Sequence, residues 1–305
     1  MTVNLAQLRA FLAVAEAGGF SAAAAELGMS QSAVSHAVAS LERELAAPLL
    51  VRATPVRTTA LGERILPHAR TALSAARSVE EIAADAAETM TGTVRLACTP
   101  TICQGLVPDL LRHWSEEQPR LTVRVFEGDS TEIAAWLADG VADAAILIDP
   151  PTGAGVHLAE DHYRAVLPRD HPLGDEPLVD IGDLADDPFL ISPDNCEARV
   201  RTIHMRAGLP FTPARRVRDL TTLIGMVQAG IGVTVLSEAS RSLLPSDLVL
   251  LPLKPVMSRR LVLTGPHERP WHPAVRTLAE SAAVHLSGLS SGPAPVRPGG
   301  GAAGC

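Results

Sequence analysis

What this chain of 305 residues lacks sets its first limits. Four cysteines, Cys98, Cys103, Cys196 and Cys305, are too few for a secreted disulfide scaffold and fit no common zinc spacing, so reduced thiols are expected. Uninterrupted apolar runs of roughly 18 to 20 residues are missing, which predicts no membrane span. The N-terminus carries no charged, apolar, small-residue export signal, and the expected compartment is the cytoplasm. Basic charge is also scarce. Lysine and arginine together number 26 against 34 acidic residues, the net charge is −8, and Lys254 is the sole lysine. Phosphate binding rests on basic surface, so non-specific coating of nucleic acid is excluded and any DNA contact must be local. No GxxxxGK(S/T) phosphate loop, GxSxG nucleophile elbow or HExxH zinc-protease helix occurs, and residues 225–232 are not a dinucleotide fingerprint. An enzyme is therefore not expected. His157, His162 and His171 read as loop residues and not as a metal site.

What is present suffices for two or three compact domains, with 47% hydrophobic and 20% charged residues. The pattern divides the chain into short helices over 1–58, an alanine-rich helix over 59–90, and strands alternating with helices over 91–289. The tail, 290–305, has one valine as its only large apolar residue and is expected to be disordered.

In the first segment Leu5, Leu8, Leu12 and Ala15 recur at helical spacing before Gly18 and Gly19. Ser21 is the expected cap of a second short helix ending at Gly28, and Ser30 caps a third that runs to about Leu45. On that third helix Val34, Val38, Leu41 and Leu45 share one side, while Ser32, His36, Ala39 and Arg43 lie opposite. A small, polar outer face suits a major-groove reader, and Ser30, Gln31, Ser32, Ser35 and His36 stand where bases or phosphates would be reached. The same face also fits plain solvated surface. Basic residues Arg9, Arg43, Arg52 and Arg57 are cancelled over this segment by Glu16, Glu26, Glu42 and Glu44.

The runs Leu5-Ala-Gln-Leu-Arg-Ala-Phe11, Gly19-Phe-Ser-Ala-Ala-Ala24, Ser30-Gln-Ser-Ala-Val-Ser35, Leu41-Glu-Arg-Glu-Leu45, Pro48-Leu-Leu-Val-Arg52 and Thr59-Ala-Leu-Gly62 resemble the DNA-binding domain of LysR-type transcriptional regulators. The resemblance implies that Gln31, Ser32 and Ser35 contact DNA and that Arg52 sits in the wing. His36, Leu50 and Thr58 depart from the residues the family often has, namely arginine, phenylalanine and leucine. Histidine lacks arginine's permanent charge, so Arg43, Arg52 and Arg57 carry more of the phosphate binding. Along 59–90, Ile65, Ala69, Ala72, Ala76, Val79, Ala83, Ala86 and Met90 alternate spacings of four and three. Every position is small or apolar, the signature of a coiled-coil seam between two copies, although a helix packed on its own chain has the same look. Pro67 is a candidate kink.

Later matches include Leu137-Ala-Asp-Gly140, Asp143-Ala-Ala-Ile146, Val166-Leu-Pro168, His171-Pro-Leu173, Val227-Gln-Ala-Gly-Ile-Gly-Val233 and Arg260-Leu-Val262. They imply an α/β effector domain of two Rossmann-like lobes resembling type 2 periplasmic binding proteins, attached to the all-α winged helix-turn-helix by the linker helix. Lobe I is expected over about 91–160 and 266–289, and lobe II over about 161–265. In open α/β sheets ligands sit beyond the carboxyl ends of strands. Those ends offer Thr99, Pro100, Thr101, Ile102, Glu127, Gly128, Ile148, Ser192, Asn195, Cys196, Thr221 and Thr222 as effector contacts. Thr99 and Thr101 stand where a strand hands over to a helix, so a small carboxylate is the leading ligand and no further cofactor is expected. Peroxide sensors of the family work through a disulfide; no matching pair is present, and the cysteines read as small buried hydrophobes. The resemblance implies a homodimer, further assembled to a homotetramer, on double-stranded promoter DNA, with RNA polymerase as an additional partner.

Overall fold

The computed structural model describes residues 3–51, 53–85, 91–193, 196–267 and 270–290. Three short helices, α1 (Leu5–Ala17), α2 (Phe20–Leu27) and α3 (Gln31–Glu44), are followed by a two-stranded antiparallel wing, β1 (Leu50–Val51) and β2 (Arg57–Thr58). Asn4 and Gln7 cap α1 reciprocally, and Gly18 and Gly28 end the first two helices in the left-handed region. Gly19, not Ser21, is the residue before α2: the helix begins two residues earlier than the serine signal implied, at Phe20. Ser30 does cap α3, accepting the Ala33 N–H at 3.2 Å. Phe11, Val14, Val34, Val38, Leu41 and Leu49 close this domain's core.

The alanine-rich segment is one helix, α4 (Ala60–Asp85), with Pro67 inside it. Its first turns belong to the preceding domain: Leu66 and Ala69 are buried in that core and Ile65 packs against it. Ile65 and Ala69 are thus corrected from seam to self-packing, because the stripe that carries them is the one the helix turns toward α1. Further along, Ala72 and Ala76 are half-buried and Val79 and Ala83 exposed, and the seam positions 86 and 90 lie outside the described residues.

The remaining elements are β3 (Gly92–Cys98), α5 (Pro100–Gly105), α6 (Val107–Glu117), β4 (Leu121–Glu127), α7 (Ser130–Ala138), β5 (Ala144–Ile148), β6 (Val156–Pro168), β7 (Val179–Asp180), β8 (Leu190–Ile191), α8 (Glu197–Arg206), β9 (Arg215–Arg216), α9 (Leu220–Gln228), β10 (Thr234–Ser237), a 3-10 turn over Glu238–Leu243, β11 (Leu248–Lys254), β12 (Ser258–Thr264) and α10 (Pro273–Ser290). Parallel β4, β3 and β5 lead into antiparallel β12 and the first half of β6. The second half of β6 pairs with β10 on one side and β11 on the other. One long strand therefore serves both lobes. Each half has its own core, with Leu96, Ile102, Leu110, Trp114 and Leu278 in the first and Leu167, Ile181, Val200, Ile203 and Val235 in the second.

β12 pairs with β5 and the first half of β6, so it belongs to lobe I. The return between lobes falls between Lys254 and Ser258, earlier than the boundary at 265 expected from the sequence. The reason is that an antiparallel strand completes the lobe I sheet before α10 begins. The expected disordered tail lies outside the described residues beyond 290.

Candidate DNA-reading surface and effector cleft

Helix α3 divides as its periodicity requires. Val34, Val38 and Leu41 are fully buried, whereas Ser30, Gln31, Ser32, His36 and Arg43 are exposed and Ser35 is half-buried. Arg57 is exposed on β2, across the wing from Val51. Arg52 lies outside the described residues. The cancelling acids do not share the outer face. Glu42 Oε1 accepts the N–H groups of Leu49 and Leu50 at 2.7 and 3.1 Å, fixing the wing to α3. Gln7 Nε2 donates to Ser40 Oγ at 3.1 Å and to Glu44 Oε1 at 2.9 Å, tying α1 to α3. Glu16 receives Arg70 Nε from α4 at 3.1 Å. Glu42 and Glu44 are thus held against the domain and Glu16 is paired with Arg70, which leaves Arg43 and Arg57 outward and gives a neutral segment a locally basic face. Gln7 and Glu42 were missed as positioning residues; a buried glutamine on an otherwise apolar helix face was the one available signal.

The second site lies at the neck between the lobes. Arg259, on β12, is fully buried opposite Asp161 on β6. Its Nε donates to Asp161 Oδ2 at 2.8 Å and its Nη2 to Ser237 Oγ at 2.6 Å. Asp161 Oδ1 also accepts the Ala239 N–H at 3.1 Å. From α8 in lobe II, Arg199 pairs with Asp149 at the end of β5 in lobe I at 2.5 Å, so a second ion pair spans the cleft. Gly105 lets α5 approach the 3-10 turn closely, because a side chain there would run into the Ala239 carbonyl.

Among the predicted contacts, Thr99 and Thr101 are 3% and 4% exposed, and neither hydroxyl has a hydrogen-bond partner in the chain. Helix α5 has only six residues, Pro100 has no N–H, and the Ile102 and Cys103 amides both return to the Thr99 carbonyl. The expected cluster of free amides is corrected on that ground, and the two hydroxyls are what remains. Ile102 is corrected to lobe I core. Ser192 and Cys196 are buried at the corresponding end of lobe II, while Asn195 lies outside the described residues. Ile148 and Gly128 are half-buried, Glu127 is exposed, and Thr221 and Thr222 are exposed at the start of α9. Thr222 is already spent as a cap partner, its hydroxyl donating to Asp219 at 2.7 Å. Arg259, Tyr163 and Ser240 were missed, because buried polar residues in mid-strand or in a turn carry no strand-end signal.

The cysteines are mainly interior groups. Cys98 and Cys196 are buried and Cys103 is half-buried, donating to the Cys98 carbonyl at 3.3 Å. The Cys103 hydrogen bond, followed by burial, pushes the Cys98 thiol far up. Burial likewise raises Cys196, with Arg259 opposing it. Among the described residues no group of three or more His, Cys, Asp or Glu side chains is arranged to hold a metal.

The pattern of bacterial regulatory helix-turn-helix proteins of the lysR family matches residues 5–63, and that of the LysR substrate binding domain matches residues 87–286. The chain is a LysR-type transcriptional regulator. A Bacillus subtilis relative, the HTH-type transcriptional regulator YvbU, is 31% identical over 87% of this chain and 92% of its own length. A Mycobacterium avium protein named as a probable hydrogen peroxide-inducible genes activator is 35% identical over 78% of this chain and 81% of its own. A full-length OxyR variant from Pseudomonas aeruginosa superposes with a TM-score of 0.74 at 25% identity, covering 93% of this chain and 98% of that one. The regulator therefore reads DNA through an N-terminal helix-turn-helix and carries the family's effector-binding domain behind it. Among the described residues, no helix is long and apolar enough to cross a membrane.

Proposed function

We propose that the regulator binds promoter DNA as a cytoplasmic homodimer, assembled further to a homotetramer, and that a small carboxylate in the interlobe cleft controls that binding. It has no catalytic activity of its own, and it acts on transcription through RNA polymerase. The observation that carries the effector reading is the pair of buried, unpartnered hydroxyls at Thr99 and Thr101. Buried polar atoms in native proteins nearly always find partners, so two such atoms at the carboxyl end of β3 favour a ligand that supplies them. A ligand that prefers one lobe arrangement shifts the assembly and with it the half-site spacing. The test is calorimetric titration of a carboxylate panel into wild type and a folded Thr99→Ala, Thr101→Ala variant, beside footprinting on the gene's own upstream DNA. Unchanged affinity in the variant sinks the reading. For the dimer, Ala72, Ala76, Val79 and Ala83 remain as seam positions, and Val79 is 68% exposed in the single chain. Glu at Val79 should dissociate the dimer in light scattering.

One observation favours a second reading, with hydrogen peroxide as the signal. Cys196 lies beside the buried Arg259 guanidinium, in a chain similar to a probable peroxide-inducible activator and to a hydrogen-peroxide-bound OxyR mutant of Corynebacterium glutamicum. In that reading the Cys196 thiolate attacks one peroxide oxygen, the O–O bond breaks, and sulfenic acid forms with hydroxide, which takes up the proton the thiol released and leaves as water. Burial of the thiol weighs against it. A sulfenic-acid trap read by mass spectrometry on Cys196 decides between the two signals.

A further inference from the structure

The neck holds more unsatisfied donors than the two threonines. Arg259 Nη1, the Tyr163 hydroxyl and the Ser240 hydroxyl are also buried without a hydrogen-bond partner in the chain. Arg259, Tyr163 and Ser240 are 0%, 2% and 0% exposed. A buried donor left unmade costs about 1–3 kcal/mol, and more when it is charged. A guanidinium only donates, so whatever satisfies Nη1 must bring an acceptor. Tyr163 is held protonated, pushed up to about 12 by burial and then by Cys196, so it too is available as a donor.

We propose that Arg259 is an oxyanion seat: the effector's carboxylate docks on its Nη1 edge with the Tyr163 hydroxyl as second donor, and Thr99 and Thr101 meet its remaining oxygens. This rests on the cleft reading above and names the residue that selects the ligand's charge. The local balance fits a monoanion. Arg259 and Asp161 neutralise each other, as do Arg199 and Asp149, so the pairs leave no net charge and the Arg259 Nη1 and Tyr163 hydroxyl donors favour an anion over a cation. Carboxylate to guanidinium is also the strong, geometrically matched pairing. The seat's position gives it leverage. Arg259 stands on β12 at the register position of Asp161 on β6, and Asp161 holds the Ala239 turn against which α5 packs. An anion bound there touches the strands that join the lobes.

The test uses the full-length protein and matched probes: acetate and benzoate against acetamide and benzamide, at constant ionic strength, read by thermal shift and calorimetry. Wild type should bind each carboxylate at least about tenfold tighter than its amide, a difference of about 1.4 kcal/mol. The paired variant Arg259→Gln, Asp161→Asn removes both charges together and should abolish that preference. Tyr163→Phe leaves the ion pair intact and should weaken carboxylate binding severalfold while leaving amide binding unchanged. The seat is overturned if wild type shows no preference, if the folded paired variant keeps it, or if Tyr163→Phe binds carboxylate as wild type does. Loss of binding on replacing Thr99 and Thr101, with the preference intact in the paired variant, overturns the seat and leaves the cleft standing. Loss of preference in the paired variant, with the threonine variant unaffected, supports Arg259 and Tyr163 as the carboxylate's anchors and overturns both the threonine contacts and the reading that rests on them.

Discussion

Helix α3 and the interlobe neck share a few residue types, serine, arginine and an acid, and they dispose of them in opposite ways. On α3 the two acids are turned to the wing and to α1 while Gln31, Ser32, His36 and Arg43 face out, so water satisfies them until DNA replaces it. At the neck an arginine and an acid satisfy each other in the interior, and several hydroxyls beside them satisfy nothing. The contrast separates two ways of keeping a binding surface ready. An exposed face costs the fold almost nothing and depends on local charge for affinity. A buried one lowers stability while unfilled and gains by whatever fills it. Mutations should therefore unfold the neck before they impair binding, and impair binding at α3 without unfolding it.

The sharpest way to break that contrast is Asp161→Asn. It leaves the Arg259 charge buried without an opposite charge, and should cost about 3–5 kcal/mol in urea unfolding. A loss under about 1 kcal/mol, the range of an exposed pair, would show that the neck behaves like surface.

Asp143 offers the next test, in lobe I away from both sites. Burial pushes its carboxyl up, but two hydrogen bonds and the charge of Arg95, at 2.9 and 2.7 Å, outweigh burial and hold it below 3.8. A depressed folded value means stability that is fully present above the unfolded carboxyl value and is lost as pH falls through the folded one. Wild type should thus lose stability below about pH 4. Asp143→Asn should cost about 2 kcal/mol at neutral pH and flatten that acid limb, read as melting temperature against pH. An acid limb of unchanged slope would mean other carboxylates carry it.

How much of this was legible beforehand depended on whether a residue's role is periodic. Val34, Val38 and Leu41 and the Gly18 and Gly28 stops follow from spacing and backbone preference, and all stand as read. The seam over α4 was half legible, because apolar spacing gives a stripe without saying what covers it; at Ile65 and Ala69 the cover is the chain's own head. Arg259 was not legible at all. Its role depends on Asp161, 98 residues earlier, and on a register between β12 and β6 that no local pattern encodes.

Glu42→Ala tests whether the exposed site depends on interior support. Removing the acceptor of two wing amides should loosen the wing by about 1–3 kcal/mol and weaken binding to all DNA sequences alike, although Glu42 is placed to hold the wing and not to meet DNA. Amide hydrogen exchange at Leu49 and Leu50 reads the first effect and fluorescence anisotropy the second. Unchanged exchange at both amides would detach the wing from α3.

The smallest effects on stability, and the cleanest on function, belong to the outer face itself. Gln31 is exposed in the first turn of α3, where a side chain enters the major groove, whereas Arg57 lies on the wing beside it. Gln31→Ala should leave the melting temperature unchanged and reduce discrimination between operator and scrambled DNA by about 1–3 kcal/mol, since a bidentate base contact supplies that much. Arg57→Ala should instead weaken both DNAs equally and lower the salt slope by about one, because a phosphate contact carries no sequence information. Anisotropy titrations over a salt series separate the two. Equal discrimination in wild type and Gln31→Ala would move base reading to Ser32, Ser35 or His36, and a changed preference in Arg57→Ala would place the wing in a groove and not on the backbone.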